Sequence, residues 1–280
     1  MICPYFAEQG ILLANVSHLD LQAFYHLRMH EANVSPNTIR HYHAYIHRAL
    51  NYAVKAGMIQ KNPADQVELP RKREHEAHFL DANSVRILMK AAEETDMESV
   101  VRLAIQFGLR RGEIIGLKWT DFDFENNLLH IRGVISRGET LVYKEPKTRA
   151  SRREFPLTDE MVRYWKAVRA KQEENRRTLG RHYSRAAEAF VCVDGHGNLL
   201  KLEYITRQIP HLCRRCGIDE VRLHELRHTN ISLLLQNGAS MKEVQEWAGH
   251  SSYMTTANIY AHVQADSKMK LAHSIQDVPA

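Results

Sequence analysis

The sequence predicts a mainly α protein with a small antiparallel β-sheet, an α+β chain built from two domains. Three observations carry that expectation. Residues 1–68 show helical periodicity opened by capping residues, residues 128–157 hold three short runs that alternate or stay apolar between turn signals, and helical patterning resumes from about 203.

In chain order, Ser17 followed by Asp20 matches a capping box and opens an amphipathic run with Leu21, Phe24, Tyr25 and Leu27. Ser35-Pro36 marks a second helix start, because a capping hydroxyl precedes a proline that needs no backbone donor in the first turn. That helix carries Ile39, Tyr42, Ile46, Ala49, Leu50 and Ala53 on one side until Gly57, and Asn62-Pro63 turns the chain again. Leu69-Pro70-Arg71-Lys72-Arg73 has no apolar period, which predicts a helical domain over 1–69, a linker over 70–79 and a second domain over 80–280. Helices are expected at about 82–94 and 96–107, the second closed by Gly108. Runs at 128–136, 140–146 and 152–157 form the expected sheet. Thr158 caps another helix, a short strand follows at 189–193, and Ser240 with Glu243 forms a further capping box. Residues 263–280 carry an apolar stripe of Val263, Met269, Leu271 and Ile275, suited either to the chain's own domain or to a neighbouring subunit.

Composition narrows the class. The 280 residues are 44% hydrophobic and 25% charged, which excludes a disordered chain, and no apolar run reaches the length of a membrane span. Four scattered cysteines do not make a disulfide framework, and the start lacks a secretory signal, so a reducing cytoplasm is expected. The net charge of +5 is uneven. Arg132, Arg137, Lys144, Lys147, Arg149, Arg152 and Arg153 crowd 132–153 against Glu139 and Glu145, and a second basic cluster fills 163–185. Such clusters suit either solvated faces or a polyanionic partner.

Four short motifs stand in a telling order: Gly108-Leu109-Arg110-Arg111-Gly112-Glu113, then His224-Glu225-Leu226-Arg227-His228, then Gly249-His250, and lastly Tyr260. Alone, each is weak. In this order the chain resembles the tyrosine recombinase (phage integrase) family over roughly 17–265, and is most similar to integrases of conjugative transposons and related mobile elements. The resemblance implies that Arg110 is a first catalytic arginine braced by Glu113, and that Glu145-Pro146-Lys147-Thr148 is the turn presenting a catalytic lysine. It further assigns His224 and Arg227 to a His-x-x-Arg pair, His250 to a Gly-His turn, and Tyr260 to the nucleophile. The first domain then corresponds to a helical core-binding domain and the second to the catalytic domain. Integrases of this type often carry a further N-terminal arm-binding domain, whereas here the helical module begins almost at once.

The chemistry of these residue types agrees with that assignment. Attack on a phosphodiester builds negative charge on the non-bridging oxygens, and two guanidiniums can grip it in a permanently charged fork. His224 and Arg227 stand at i and i+3 on one helical face, within reach of one phosphate. A tyrosine must lose its proton to attack, and nearby arginines favour the phenolate. Lys147 is the best candidate to protonate the departing 5′-oxygen, and His250 to bond a phosphate oxygen. Cations do the work often given to a metal, so neither metal nor cofactor is expected. The implied partners are double-stranded DNA at element ends and target site, three further copies of the chain in a tetramer on DNA, and accessory DNA-bending or excision proteins; no membrane is involved.

Other readings have less support. His41-Tyr42-His43 resembles the histidine pair of metal-dependent nicking enzymes, but i and i+2 share no helical face. His43 and His47 lack further zinc ligands, and Cys213-x-x-Cys216 lacks a second pair. His228 suits a supporting position and Arg111 a solvent or backbone contact. Two rival functions remain: a type IB-like topoisomerase, and a DNA-binding regulator on this scaffold that no longer cuts.

Overall fold

The computed structural model describes residues 2–73, 78–137, 141–144, 153–250, 253–254 and 256–257. The chain divides into two compact units, Met1–Glu76 and Ala77–Ala280.

In the first unit, helix α1 (Ile2–Glu8), which the sequence pattern does not announce, precedes α2 (His18–His30) and α3 (Pro36–Lys55). The capping box at α2 is reciprocal: the Asp20 N–H donates to Ser17 Oγ at 3.3 Å, and the Ser17 N–H donates to Asp20 Oδ2 at 2.9 Å. Leu21, Phe24 and Tyr25 of α2 pack on Ile39, Ile46 and Leu50 of α3. Helix α1 is held by aromatic contact, Tyr5 and Phe6 lying 4.9 and 5.5 Å from the Phe24 ring, which explains why so short a helix persists. His47 Nε2 bonds Asp65 Oδ1 at 2.8 Å, and His43 Nδ1 shares a 3.2 Å hydrogen bond with the Tyr25 hydroxyl. Both histidines of the zinc alternative thus have structural partners. His41 and His43 lie within a helix, not on the strand a nicking enzyme needs.

The second unit is helical around two small antiparallel sheets. Helices α4 (Ala82–Ala92), α5 (Glu98–Phe107) and α6 (Arg111–Gly116) lead into strands β1 (Phe122–Asp123), β2 (Leu128–His130), β3 (Val134–Arg137), β4 (Leu141–Lys144) and β5 (Glu154–Pro156). Helices α7 (Asp159–Leu179), α8 (Leu202–Cys216), α9 (Leu223–Gln236) and α10 (Met241–Ala248) complete it. One expectation needs correction: the β-structure is two sheets rather than one, since β1-β2-β5 form one and β3-β4 a separate hairpin. The run 128–136 breaks over Ile131–Gly133, and a Cβ at Gly133 would fall 2.0 Å from the Tyr143 hydroxyl, so the ring packs directly against that stretch of backbone. Residues 189–193 likewise form isolated bridges, Lys118 with Phe190 and Val193 with Leu199, instead of a strand.

Helix α9 is buried nearly all round: Leu226, Arg227, Thr229, Asn230, Ile231 and Ser232 are all withdrawn from solvent. It supports the end of α5 through Asn230 Nδ2, which donates to the Ile105 carbonyl at 2.7 Å. Gly108 then closes α5 at φ +61°, a left-handed conformation, and a Cβ there would stand 2.6 Å from Asn230 Oδ1. Gly108→Ala is therefore expected to destabilise the protein by about 1–2 kcal/mol from backbone strain alone, with the clash in addition; the midpoint of urea unfolding measures it. Among the described residues, no helix is long and apolar enough to cross a membrane.

Candidate active site

Three arginines from separate parts of the second unit converge on one helix end. Arg110 precedes α6, Arg153 precedes β5 and Arg227 lies within α9. Helix α10 ends with Gly249 at φ +62° and with the His250 N–H donating back to the Gln245 carbonyl at 3.1 Å, a closure that leaves the Ala248 and Gly249 carbonyls directed outward. Those two oxygens are the anchor. Arg110 Nη2 donates to the Gly249 carbonyl at 2.7 Å, while Arg153 Nη1 and Arg227 Nη2 both donate to the Ala248 carbonyl. A helix C-terminus carries partial negative charge, so cations are favoured there. Arg227 is further held by its Nη1 donating to the Gly108 carbonyl, at the left-handed turn described above.

Glu113 joins two of the three. Its Oε1 accepts from Arg110 Nη1 at 2.9 Å, and its Oε2 accepts from the Arg110 N–H at 2.8 Å and from Arg153 Nη2 at 2.7 Å. Glu113 is 4% exposed and Arg227 1%, so both are deeply buried charges. Burial, and then the neighbouring Arg110 and Arg153 guanidiniums, lower the Arg227 pKa, while Glu113 opposes the shift. Three guanidiniums against one carboxylate give 3 − 1 = +2 for these four side chains. Glu113, Arg153 and Arg227 are buried while the Arg110 side chain is 38% exposed, so the excess positive charge is open to solvent through Arg110, an arrangement suited to receiving an anion.

The histidines border this centre. His224 is on the solvent side of α9, its ring 4.7 Å from His228 and edge-on to it. Partial burial and the Arg227 and Arg110 cations hold its pKa below the ordinary value. His250 Nδ1 is hydrogen-bonded to Thr256 Oγ1 at 2.9 Å, and Thr256 is fully buried. Burial first, then Arg227 and Arg110, push the His250 pKa down to about 4 from 6.5. The ring is therefore neutral near pH 7, with Nδ1 engaged by Thr256 and a single proton on one of its two ring nitrogens. Because the unfolded chain takes up the proton that folded His250 refuses, this contribution to stability is whole above pH 6.5 and is lost as pH falls towards 4. The melting temperature of His250→Gln should accordingly fall less than that of the parent between pH 7 and pH 5.

Arg110, Glu113, His224, Arg227 and His250 are thus brought to one place. Lys147 and Tyr260 lie outside the described residues, as do the 263–280 tail and residues 74–77 of the expected linker. Arg111, expected to face solvent or DNA, donates to Thr206 Oγ1 at 3.1 Å. Cys216 Sγ donates to the Leu212 carbonyl, and Cys213 is buried. Among the described residues, no group of three or more His, Cys, Asp or Glu is placed to hold a metal ion.

Arg153 is the residue that sequence reasoning misplaced. It belongs to the basic 132–153 cluster in sequence, yet it is 7% exposed, with Nη1 and Nη2 bonded to the Ala248 carbonyl and Glu113 while its buried Nε has no partner. The signal was available: Arg153, Phe155 and Leu157 are buried and alternate with exposed Glu154 and Pro156, the period-2 pattern of a strand.

Comparison with known proteins gives the same direction. The phage integrase family model matches residues 78–267. A tyrosine recombinase XerC-like protein of Caldanaerobacter subterraneus is 27% identical over 96% of this chain and 73% of its own length. The ICEBs1 integrase of Bacillus subtilis is 24% identical over 99% of this chain and 74% of its own. Among solved structures, the Tn1549 transposon integrase in complex with transposon right end DNA superposes with a TM-score of 0.74 at 22% identity, covering 93% of this chain and 86% of that one.

Proposed function

This chain belongs to the phage integrase family, and from that membership we propose that Arg110, Lys147, His224, Arg227, His250 and Tyr260 are its catalytic residues, with Glu113 as the brace of Arg110. The protein is a tyrosine recombinase of the conjugative-transposon integrase type, an enzyme that binds DNA and cleaves and rejoins its strands. The observation that supports the residue assignment best is the partly buried +2 centre at the end of α10. Arg110 and Arg227 grip the non-bridging oxygens of the scissile phosphate, and neutral His250 donates to the same group. Tyr260 attacks phosphorus, forming a 3′-phosphotyrosyl bond while the P–O5′ bond breaks, and Lys147 gives its proton to the leaving oxygen. The covalent link conserves the energy of the broken bond, so rejoining needs no nucleotide.

Exchange between two duplexes takes four cleavages, and the working form is a tetramer on paired element ends and target, assisted by DNA-bending or excision proteins. The first unit serves as the core-binding domain and the second as the catalytic domain. Acting on chromosomal DNA, the protein works in the cytoplasm beside the nucleoid. The test uses two differently labelled duplexes taken from the junctions of the DNA element that carries this gene. Recombinant product with both labels is expected. Relaxation of supercoiled DNA without exchange would favour a topoisomerase, and binding without a covalent adduct a regulator.

A further inference from the structure

We infer that Arg153 is a positioning residue for strand cleavage, acting through Glu113 and the α10 terminus on Arg110 and Arg227. The inference rests on the reading of Arg110 and Arg227 as the clamp on the scissile phosphate. Both terminal nitrogens of Arg153 are engaged, Nη2 with Glu113 Oε2 at 2.7 Å and Nη1 with the Ala248 carbonyl. Each acceptor also serves a clamp arginine: Glu113 holds Arg110, and Ala248 holds Arg227. The planar fork of Arg153 therefore spans the two anchors and fixes their separation. Its backbone is itself fixed, because the Arg153 carbonyl accepts from the Ile131 N–H at 2.8 Å beside the β2–β5 pairing.

Charge gives a second argument. Without Arg153, the clamp arginines and Glu113 sum to 2 − 1 = +1; with it, to +2. A phosphodiester carries one negative charge, and attack by a phenolate adds another, so the five-coordinate transition state is a dianion. Arg153 brings the centre to a charge that matches the transition state rather than the bound ground state, which is the condition for acceleration. In the free protein the burial of Arg153 lowers its pKa, Glu113 offsets only part of that and Arg110 adds to it, so the buried charge is a cost to folding. A second buried arginine beside Arg227 is thus poorly explained by stability and well explained by cleavage.

Full-length parent, Arg153→Gln, Arg153→Lys, Glu113→Gln and the Arg153→Gln/Glu113→Gln double variant are incubated with a nicked duplex cut from the end of the element that carries the gene. Single-turnover adduct formation, DNA Kd and melting temperature are measured for each. Arg153→Gln should slow adduct formation roughly tenfold to a hundredfold, less than the 10²–10³-fold typical of losing a direct donor, with DNA Kd unchanged. Arg153→Lys should fall between, keeping the charge but not the fork. The double variant should be no slower than the slower single, because both act on Arg110. A parental rate for Arg153→Gln, a Kd that rises in step with the rate loss, or losses that multiply in the double variant would each overturn the role. Should Arg153→Gln not fold, Arg153→Lys decides: a slower rate at unchanged Kd supports the role, and a parental rate overturns it. Absence of any adduct from the parental protein on this duplex overturns the clamp reading itself, whereas a parental adduct with unaffected variants overturns the role of Arg153 alone.

Discussion

Tyr260→Phe is expected to eliminate the covalent protein–DNA adduct while leaving DNA affinity within about twofold of the parent. The phenylalanine ring keeps the shape and apolar surface of tyrosine and removes only the oxygen that would attack phosphorus, so a purely structural tyrosine would tolerate the change. The proposed clamp would offer the phosphate a positive centre and no nucleophile of its own: Arg110, Arg153 and Arg227 present hydrogen-bond donors, and Glu113 is already bound to two of them. The chain after α10 returns to this centre at Thr256, which is buried against His250, and Tyr260 follows four residues later in the sequence. Parent and variant are incubated with a nicked junction duplex, which traps cleavage because the short fragment is lost. A band of slowed mobility that disappears on protease treatment is expected for the parent alone. A normal yield of adduct from Tyr260→Phe would place the nucleophile at another residue.

Much of this site was legible in the sequence through its resemblance to the phage integrase family, and local spacing supports two of its pairs. Arg110 and Glu113 are three residues apart at the start of a helix, and His224 and Arg227 are three apart within one, so helical geometry alone presents each pair together. The capping boxes at Ser17 and Ser240 are equally local and form as expected. What joins the pairs was not legible. The Ala248 and Gly249 carbonyls belong to the backbone, and no residue type advertises that a helix end will be shared by three guanidiniums. The division of the β-structure into two sheets was hidden for a related reason, since the approach of the Tyr143 ring to Gly133, in the break between β2 and β3, is a contact distant in sequence. Arg153 is a different case. Its place was written in the alternation with Phe155 and Leu157, but its charge and its basic neighbours argued for the surface, and that argument prevailed wrongly. A buried arginine is rare unless paired, and the partner, Glu113, is forty residues away.

Lys147→Ala should slow cleavage of ordinary DNA by about 10²–10⁴-fold, the usual contribution of a general acid, and this loss should be largely restored when sulfur replaces the scissile 5′-oxygen. The departing alkoxide is strongly basic and needs a proton as the bond breaks, whereas a thiolate is a far weaker base and leaves without one. Loss of a proton donor is therefore masked by sulfur, and loss of a residue that merely holds the backbone is not. Among the neighbouring groups, His250 is a poor substitute, because a pKa pushed down to about 4 means its acidic form is scarce near pH 7. His224 is shifted in the same direction by the same arginines. Burial beside the arginine centre thus disfavours protonated histidine, and the proposal gives the task to the Lys147 amine instead. Arg110→Ala serves as the control. Its proposed role on the non-bridging oxygens does not depend on the leaving atom, so its defect should be equally deep on oxygen and sulfur substrates. A Lys147→Ala defect that sulfur fails to relieve would move the acid elsewhere, and His224 would be the next residue to replace.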